Sequence, residues 1–189
     1  MITYKQPFIK PYRNPVRLGS KLNRFEPEVI AYIAGLTTPL SDGQITKLNT
    51  FVKALKTGLG ITALSDAFDV MYILGGETAE SSLRNIVKNA HHAEAVNSPT
   101  FTALEGFTGN GTTSYIDTKY AMSTQASAAT LNSTSFGVYR RTVGSSTGAE
   151  IGRRTAIYTE LFVSLDNLFL IRVNQGNGSS GLAGSSDVL

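Results

Sequence analysis

Four carboxylates in the middle of the chain, Asp66, Asp69, Glu77 and Glu80, are the first residues that could do chemistry. Two of them held across a cleft would be the general acid and base or nucleophile of glycoside cleavage, though that separation is a spatial matter that spacing does not fix. Asp66 and Asp69 also fall in the first turn of a predicted helix, where negative charge is stabilising in any case. His91 and His92 are the only histidines. Adjacent residues point in different directions, and Glu94 supplies no recognisable ligand spacing for a catalytic zinc site, which needs three protein ligands and an open position. A cation pair closing a helix is the simpler reading. No Gly-x-Ser-x-Gly singles out a nucleophilic serine. With no cysteine, disulfides, thiolate chemistry and cysteine-ligated zinc are excluded.

Two glycine-rich stretches ask a different question. Gly176, Gly178 and Gly181 spell G-x-G-x-x-G after the strand-like "NLFLIRV". A dinucleotide fingerprint needs a helix next and an acid about 20 residues on. Here the chain reads "LAGSSDVL" and stops, so a hairpin loop is expected. The other stretch, Glu105–Tyr120 "EGFTGNGTTSYIDTKY", has no lysine at phosphate-loop spacing. It is expected to be a hairpin turning at Gly109-Asn110-Gly111, with Phe107 and Tyr115 as apolar anchors on either side. Asn110 and Asp117 are its candidate glycan contacts. Asn110, Asn132 and Asn177 each open an N-x-[ST] triplet, of little weight in a chain so rich in Ser and Thr without a secretory signal.

The elements that must position these residues divide the chain in three. Residues 1–25 form an extended arm: Pro7, Pro11 and Pro15 recur every four residues and disfavour helix. This arm holds Lys5, Lys10, Arg13, Arg17, Lys21 and Arg24 and none of the chain's 14 acids, so the overall +3 charge hides a net acidic remainder. Phe8 and Tyr12 each follow a proline and can be buried only against something else. Docking on another protein subunit or along its own domain is favoured over a nucleic-acid tail, because the charges are spaced rather than clustered.

Residues 26–97 read as helical. Pro27 opens a helix that Gly35 stops. Ser41 and Gln44 form a capping box ahead of a stripe of Ile45, Leu48, Val52 and Leu55, with Lys47, Lys53 and Lys56 off the stripe and Gly58 as the stop. A third helix over Ser65–Leu74, ended by Gly75-Gly76, and a short fourth over "AESSLRNIV" are expected. Residues 98–189 alternate small polar with aromatic or branched residues in "SPTFTAL", "SYIDTKY", "STSFGVYRRT", "AIYTELFVSL" and "NLFLIRVNQ", the period of strands. Asp166-Asn167 is a hairpin turn between the last two. The fold class is α+β, ending in an antiparallel sheet or sandwich. Because the chain stops where another strand is wanted, the sandwich is either minimal or the chain is a fragment of a longer product.

From about Asp42 to Arg141, "LSDGQITKLNTFVKALKTGLGITALSDAFDVMYILGGETAESSLRNIVKN", "GFTGNGTTSYIDTKYAMSTQ" and "NSTSFGVYRRT" together resemble structural proteins of tailed-bacteriophage virions, particularly tail-fibre and virion-surface proteins. The resemblance implies a jelly-roll sandwich of the laminin-G or concanavalin type and carries no catalytic residue or cofactor. It implies a non-enzymatic fibre, spike or capsid-decorating protein of the virion, assembled in the host cytoplasm as a homotrimer. Lys5, Phe8, Lys10, Tyr12, Arg13 and Arg17 would anchor it to other virion proteins, and the sandwich would meet a host surface glycan or protein. The arm and the later sandwich strands lie outside the resemblance. Other readings are a carbohydrate-active depolymerase and a nucleic-acid-binding module using the arm. The longest apolar runs fall far short of the roughly 20 residues of a membrane span.

Overall fold

Pro27, with its φ preset and no N–H to lose, starts helix α1 (Pro27–Ala34) in the computed structural model, which describes residues 24–130, 135–138, 151–154, 157–163, 168–176 and 182–185. Gly35 ends α1, as the sequence suggests, and the Arg84 guanidinium lies where a Cβ on Gly35 would stand. Helix α2 (Asp42–Leu59) begins at Ser41, whose hydroxyl accepts the Gln44 N–H at 3.2 Å. The second half of the expected capping box is replaced, since the Ser41 N–H goes to Glu77 Oε2 at 2.7 Å. The stop is Gly60 rather than Gly58. Gly60 takes the left-handed conformation (φ 66°), and the Ile61 and Gly60 N–H groups reach back to the Lys56 and Thr57 carbonyls. That pair of bonds is a Schellman motif, and it places Gly58 within the helix.

Val29 and Tyr32 of α1 pack with Val52 of α2, and Leu64, Ile86 and Val87 complete the buried cluster. Ile45, Leu48 and Leu55 flank it, so the predicted stripe faces the core. Lys56 does not behave as a residue off the stripe. Its Nζ is 2.8 Å from Glu26 and 3.2 Å from Glu28, beneath cover that leaves the lysine side chain 12% exposed.

The helix expected over Ser65–Leu74 is reduced to a single 3₁₀ turn, Leu64–Asp66. Its backbone groups find distant partners instead: the Met71 N–H donates to Asn85 Oδ1 and the Met71 carbonyl accepts from Ile86. Gly75-Gly76 is therefore not a helix stop. It is a close backbone crossing, where Gly76 accepts the Leu104 N–H at 2.8 Å and a Cβ on Gly76 would strike the Ser81 and Ser82 hydroxyls. Helix α3 covers only Ala79–Leu83 of the expected nine residues. Thr78 and Ser81 cap it reciprocally, and Arg84 turns extended (ψ 131°) so that Asn85 can enter the core.

Four three-residue strands follow in a nested order. Strand β1 (Glu94–Val96) pairs antiparallel with β4 (Tyr115–Asp117), and inside that pairing β2 (Thr100–Thr102) pairs with β3 (Gly106–Thr108). The hairpin expected around Gly109-Asn110-Gly111 is thus overturned, because β3 and β4 take different partners. The true hairpin turns at residues 103–105. There Phe101 stands opposite Phe107 with ring centroids 4.9 Å apart, a pairing that fixes the register. A four-residue helix α4 (Met122–Gln125) closes this unit, which ends at Thr130.

The second compact unit, from Leu131, contains one antiparallel meander: β5 (Ile151–Arg154), β6 (Ile157–Val163), β7 (Leu168–Gly176) and β8 (Leu182–Ser185), in that spatial order. The predicted "AIYTELFVSL" and "NLFLIRVNQ" strands pair with Val163 opposite Phe169. Residues 182–185, read from sequence as a tail without a strand, form the fourth strand against β7. The chain after the G-x-G-x-x-G motif is therefore a strand and not the helix a dinucleotide needs. Of "STSFGVYRRT", residues 135–138 are irregular and the rest lie outside the described residues, as does Asp166-Asn167. The chain is α+β with small antiparallel sheets, and no described helix is long and apolar enough to cross a membrane.

Candidate functional site

The loop from Thr108 to Lys119 carries both sequence candidates that the structure describes. Asn110 organises it. Its Oδ1 accepts the N–H groups of Thr112, Thr113 and Ser114 at 3.0, 2.9 and 3.0 Å, and its Nδ2 donates to Thr113 Oγ1 at 3.1 Å. Asn and Asp favour such loops because a short side chain can bond backbone donors just ahead of it. Gly111 follows at φ 78°, the conformation glycine adopts without strain. Asn97 Nδ2 ties the loop to the β1 side by donating to the Thr113 carbonyl at 2.9 Å.

Asp117 ends β4 and faces Lys119. Its Oδ1 accepts the Lys119 N–H at 2.8 Å, and its Oδ2 is 3.1 Å from Lys119 Nζ, which also reaches Glu94 at 2.9 Å. The Lys119 N–H, then its ammonium, hold the Asp117 carboxyl below its usual range. No hydrogen bond joins Asn110 to Asp117 among the described residues: one turns into the loop, the other toward Lys119. Tyr115 is 55% exposed rather than an inward anchor, whereas Phe107 is half-buried against Phe101. Lys5, Phe8, Lys10, Tyr12, Arg13 and Arg17 lie outside the described residues.

The four acids considered for carboxylate chemistry are all engaged elsewhere. Asp66 accepts the Thr62 and Ala63 N–H groups, Glu77 caps Ser41, and Glu80 receives the N–H groups of Thr37 and Thr38 at 2.7 and 3.0 Å. Asp69, 8% exposed, accepts Ser127 N–H and Oγ–H at 2.6 and 2.7 Å, Ala128 N–H at 3.0 Å and Ala129 N–H at 2.9 Å. Burial would raise the Asp69 carboxyl, but these donors outweigh it and hold the group well below the carboxylate range. The buried Tyr120 hydroxyl approaches the same carboxylate without meeting hydrogen-bond geometry; burial first, and that charge second, push it up to about 12.

The histidine pair does not close a helix as expected, since α3 ends at Leu83. His92 Nδ1 accepts the Asn85 N–H at 3.2 Å and its Nε2 faces Asn89 Oδ1 at 3.1 Å, so both ring nitrogens are occupied in the neutral form. Burial, with Arg84 and His91 adding to it, lowers the His92 pKa. His91 instead adopts φ 54° and meets the Tyr120 ring edge-on at 5.6 Å. No group of three potential ligands exists among the described residues. Cavities of about 20 and 50 Å³, beside Arg84 and beside Gly76, are the size of one to a few waters.

Sequence reasoning missed Asn85. It is 2% exposed, its Oδ1 receives the Met71 and Val87 N–H groups and its Nδ2 donates to the Ala90 carbonyl. An asparagine between Arg84 and Ile86 in a stretch with helical composition gives no warning of that role. The chain matches no protein-family model, no curated protein and no solved structure.

Proposed function

We propose that this chain is a structural protein of a tailed-bacteriophage virion, of the fibre, spike or capsid-decorating type. Residues 1–25 attach it to other virion proteins, residues 26–97 form a neck, and the C-terminal part is a sandwich of the laminin-G or concanavalin type presented to a host surface glycan or protein. Subunits associate as a homotrimer.

The observation that carries the sandwich reading is the register of the second unit. Ile151, Leu161, Ile171 and Leu182 stand side by side across β5, β6, β7 and β8, and Val163 pairs with Phe169 two positions along. That register lines up one apolar residue from each strand across a four-stranded antiparallel sheet, the pattern of a sheet with one covered face. Antiparallel sheets bury such a face against a second layer, supplied by the same chain or by another copy. The Pro-rich basic arm supports attachment, since prolines reduce the entropy lost when an extended segment is ordered. A depolymerase would need two free carboxylates across a cleft, whereas Asp66, Asp69, Glu77 and Glu80 are each committed to a different stretch of backbone.

The test is incorporation. Particles produced with the full chain are expected to contain it after purification, and particles produced with a variant lacking residues 1–25 are expected to lack it. Equal incorporation of both would end the anchoring proposal.

A further inference from the structure

We propose that Asn110-Gly111 is a self-modifying site, at which the folded loop promotes conversion of Asn110 to aspartate and isoaspartate. The loop supplies three parts of the reaction. The electrophile is the Asn110 side-chain carbonyl, whose oxygen already accepts three backbone N–H groups, from Thr112, Thr113 and Ser114, with the Thr112 hydroxyl at 3.3 Å. The leaving nitrogen is Nδ2, which lies 3.1 Å from Thr113 Oγ1. The nucleophile is the backbone nitrogen of Gly111, the residue type that obstructs attack least. Asn110, Gly111, Thr112 and Thr113 are all exposed, so water and hydroxide reach them.

The step balances without an outside oxidant or reductant. A base removes the Gly111 amide proton, and that nitrogen attacks Asn110 Cγ. The developing negative charge falls on Oδ1, where three oriented N–H groups receive it, as oxyanion donors do in acyl transfer. The C–Nδ2 bond then breaks and ammonia leaves, taking its proton from solvent or from the Thr113 hydroxyl, which solvent reprotonates. One water opens the resulting succinimide at either carbonyl, giving aspartate or isoaspartate; the net change is amide plus water to acid plus ammonia.

The same donors favour the product. A carboxylate at position 110 accepts the Thr112, Thr113 and Ser114 N–H groups as charge-assisted bonds, which are stronger than those of the amide. The modification adds one negative charge to an exposed loop and removes the donor now facing Thr113.

The experiment compares deamidation of the full chain, folded in neutral buffer and unfolded in guanidinium, by peptide mapping and mass spectrometry. Asn177-Gly178, the same dipeptide elsewhere in the chain, calibrates the unfolded rate. Asn110 is expected to convert about tenfold faster in the folded chain than in the unfolded one, below the roughly 10²–10³ of enclosed oxyanion sites because water competes here. Thr113→Val is expected to lower the folded rate and leave the unfolded rate unchanged. A folded rate at Asn110 equal to or slower than the unfolded rate would overturn the proposal.

Discussion

Replacing Asp69 with asparagine tests whether one carboxylate holds the end of the first unit. The aspartate accepts four donors from three consecutive residues, Ser127 to Ala129, across about sixty positions of sequence. In Asp69→Asn the Oδ1 position can still accept the Ser127 and Ala128 donors, without the charge. The Oδ2 position becomes an NH₂ facing the Ala129 N–H, donor against donor. Losing charge assistance and leaving a covered donor unmatched costs about 1–3 kcal/mol for each such change. Although the carboxylate is almost covered, that cover is thin, so solvent screens part of the loss. We expect a net cost of about 2 kcal/mol, confined largely to residues 126–130, which can open locally instead of unfolding the core. Hydrogen exchange reads this directly, because 2 kcal/mol corresponds to about 30-fold faster exchange of the Ser127, Ala128 and Ala129 amides. Exchange at those amides within about twofold of the wild type would show that the Asp69 charge does not hold this segment, because a factor of two is well under 1 kcal/mol.

Three further outcomes are expected elsewhere in the chain. Lys56→Met leaves Glu26 and Glu28 close together without their cation, and is expected to lower the urea midpoint by an amount equivalent to about 1–3 kcal/mol, below a fully buried pair because the site is part-exposed. Stability should fall on acidification in two stages. His92 has a folded pKa below 6.5, so the unfolded chain binds its proton first and stability drops as pH falls below 6.5. Glu28, Asp66, Asp69, Glu77, Glu80 and Asp117 are likewise depressed below 4.5 for the glutamates and 3.8 for the aspartates, so their contribution is complete above those values and is lost below them. Urea midpoints measured from pH 8 to pH 3 check both stages, and a midpoint that rises on acidification contradicts them. Gly106→Ala meets φ 106° and a Cβ 3.2 Å from the Leu74 carbonyl oxygen, and a cost of about 2 kcal/mol in thermal or urea unfolding is expected.

What could be read from the sequence was the part governed by local chemistry. The Pro27 start, the Gly35 stop, the Ser41 cap and the Ile45–Leu55 stripe each depend on neighbours within a turn or two. The paired β6 and β7 strands were legible for the same reason. Features set by distant partners were not. The Ser65–Leu74 stretch has helical composition, but Asn85 and Ile86 take the backbone groups of Met71 that a helix would need. The Gly109–Gly111 turn has hairpin composition, yet β1 and β2 compete successfully for β4 and β3. Residues 182–185, "LAGS", have little strand propensity and form a strand because β7 offers an edge. At the candidate site, Asn110 was legible as a turn residue and Asp117 as a strand residue, while their engagement with Ser114 and Lys119 depended on turns no periodicity reports.

The most direct measurement is a reconstruction of an intact purified particle at a resolution that traces this chain and its neighbours. Residues 1–25, with Phe8 and Tyr12 buried and Lys5, Lys10, Arg13 and Arg17 at the rim, are expected to lie against a neighbouring virion subunit while residues 131–189 point outward. A particle without the chain, or one holding it through residues 131–189 with the arm free, would rule out attachment through the arm.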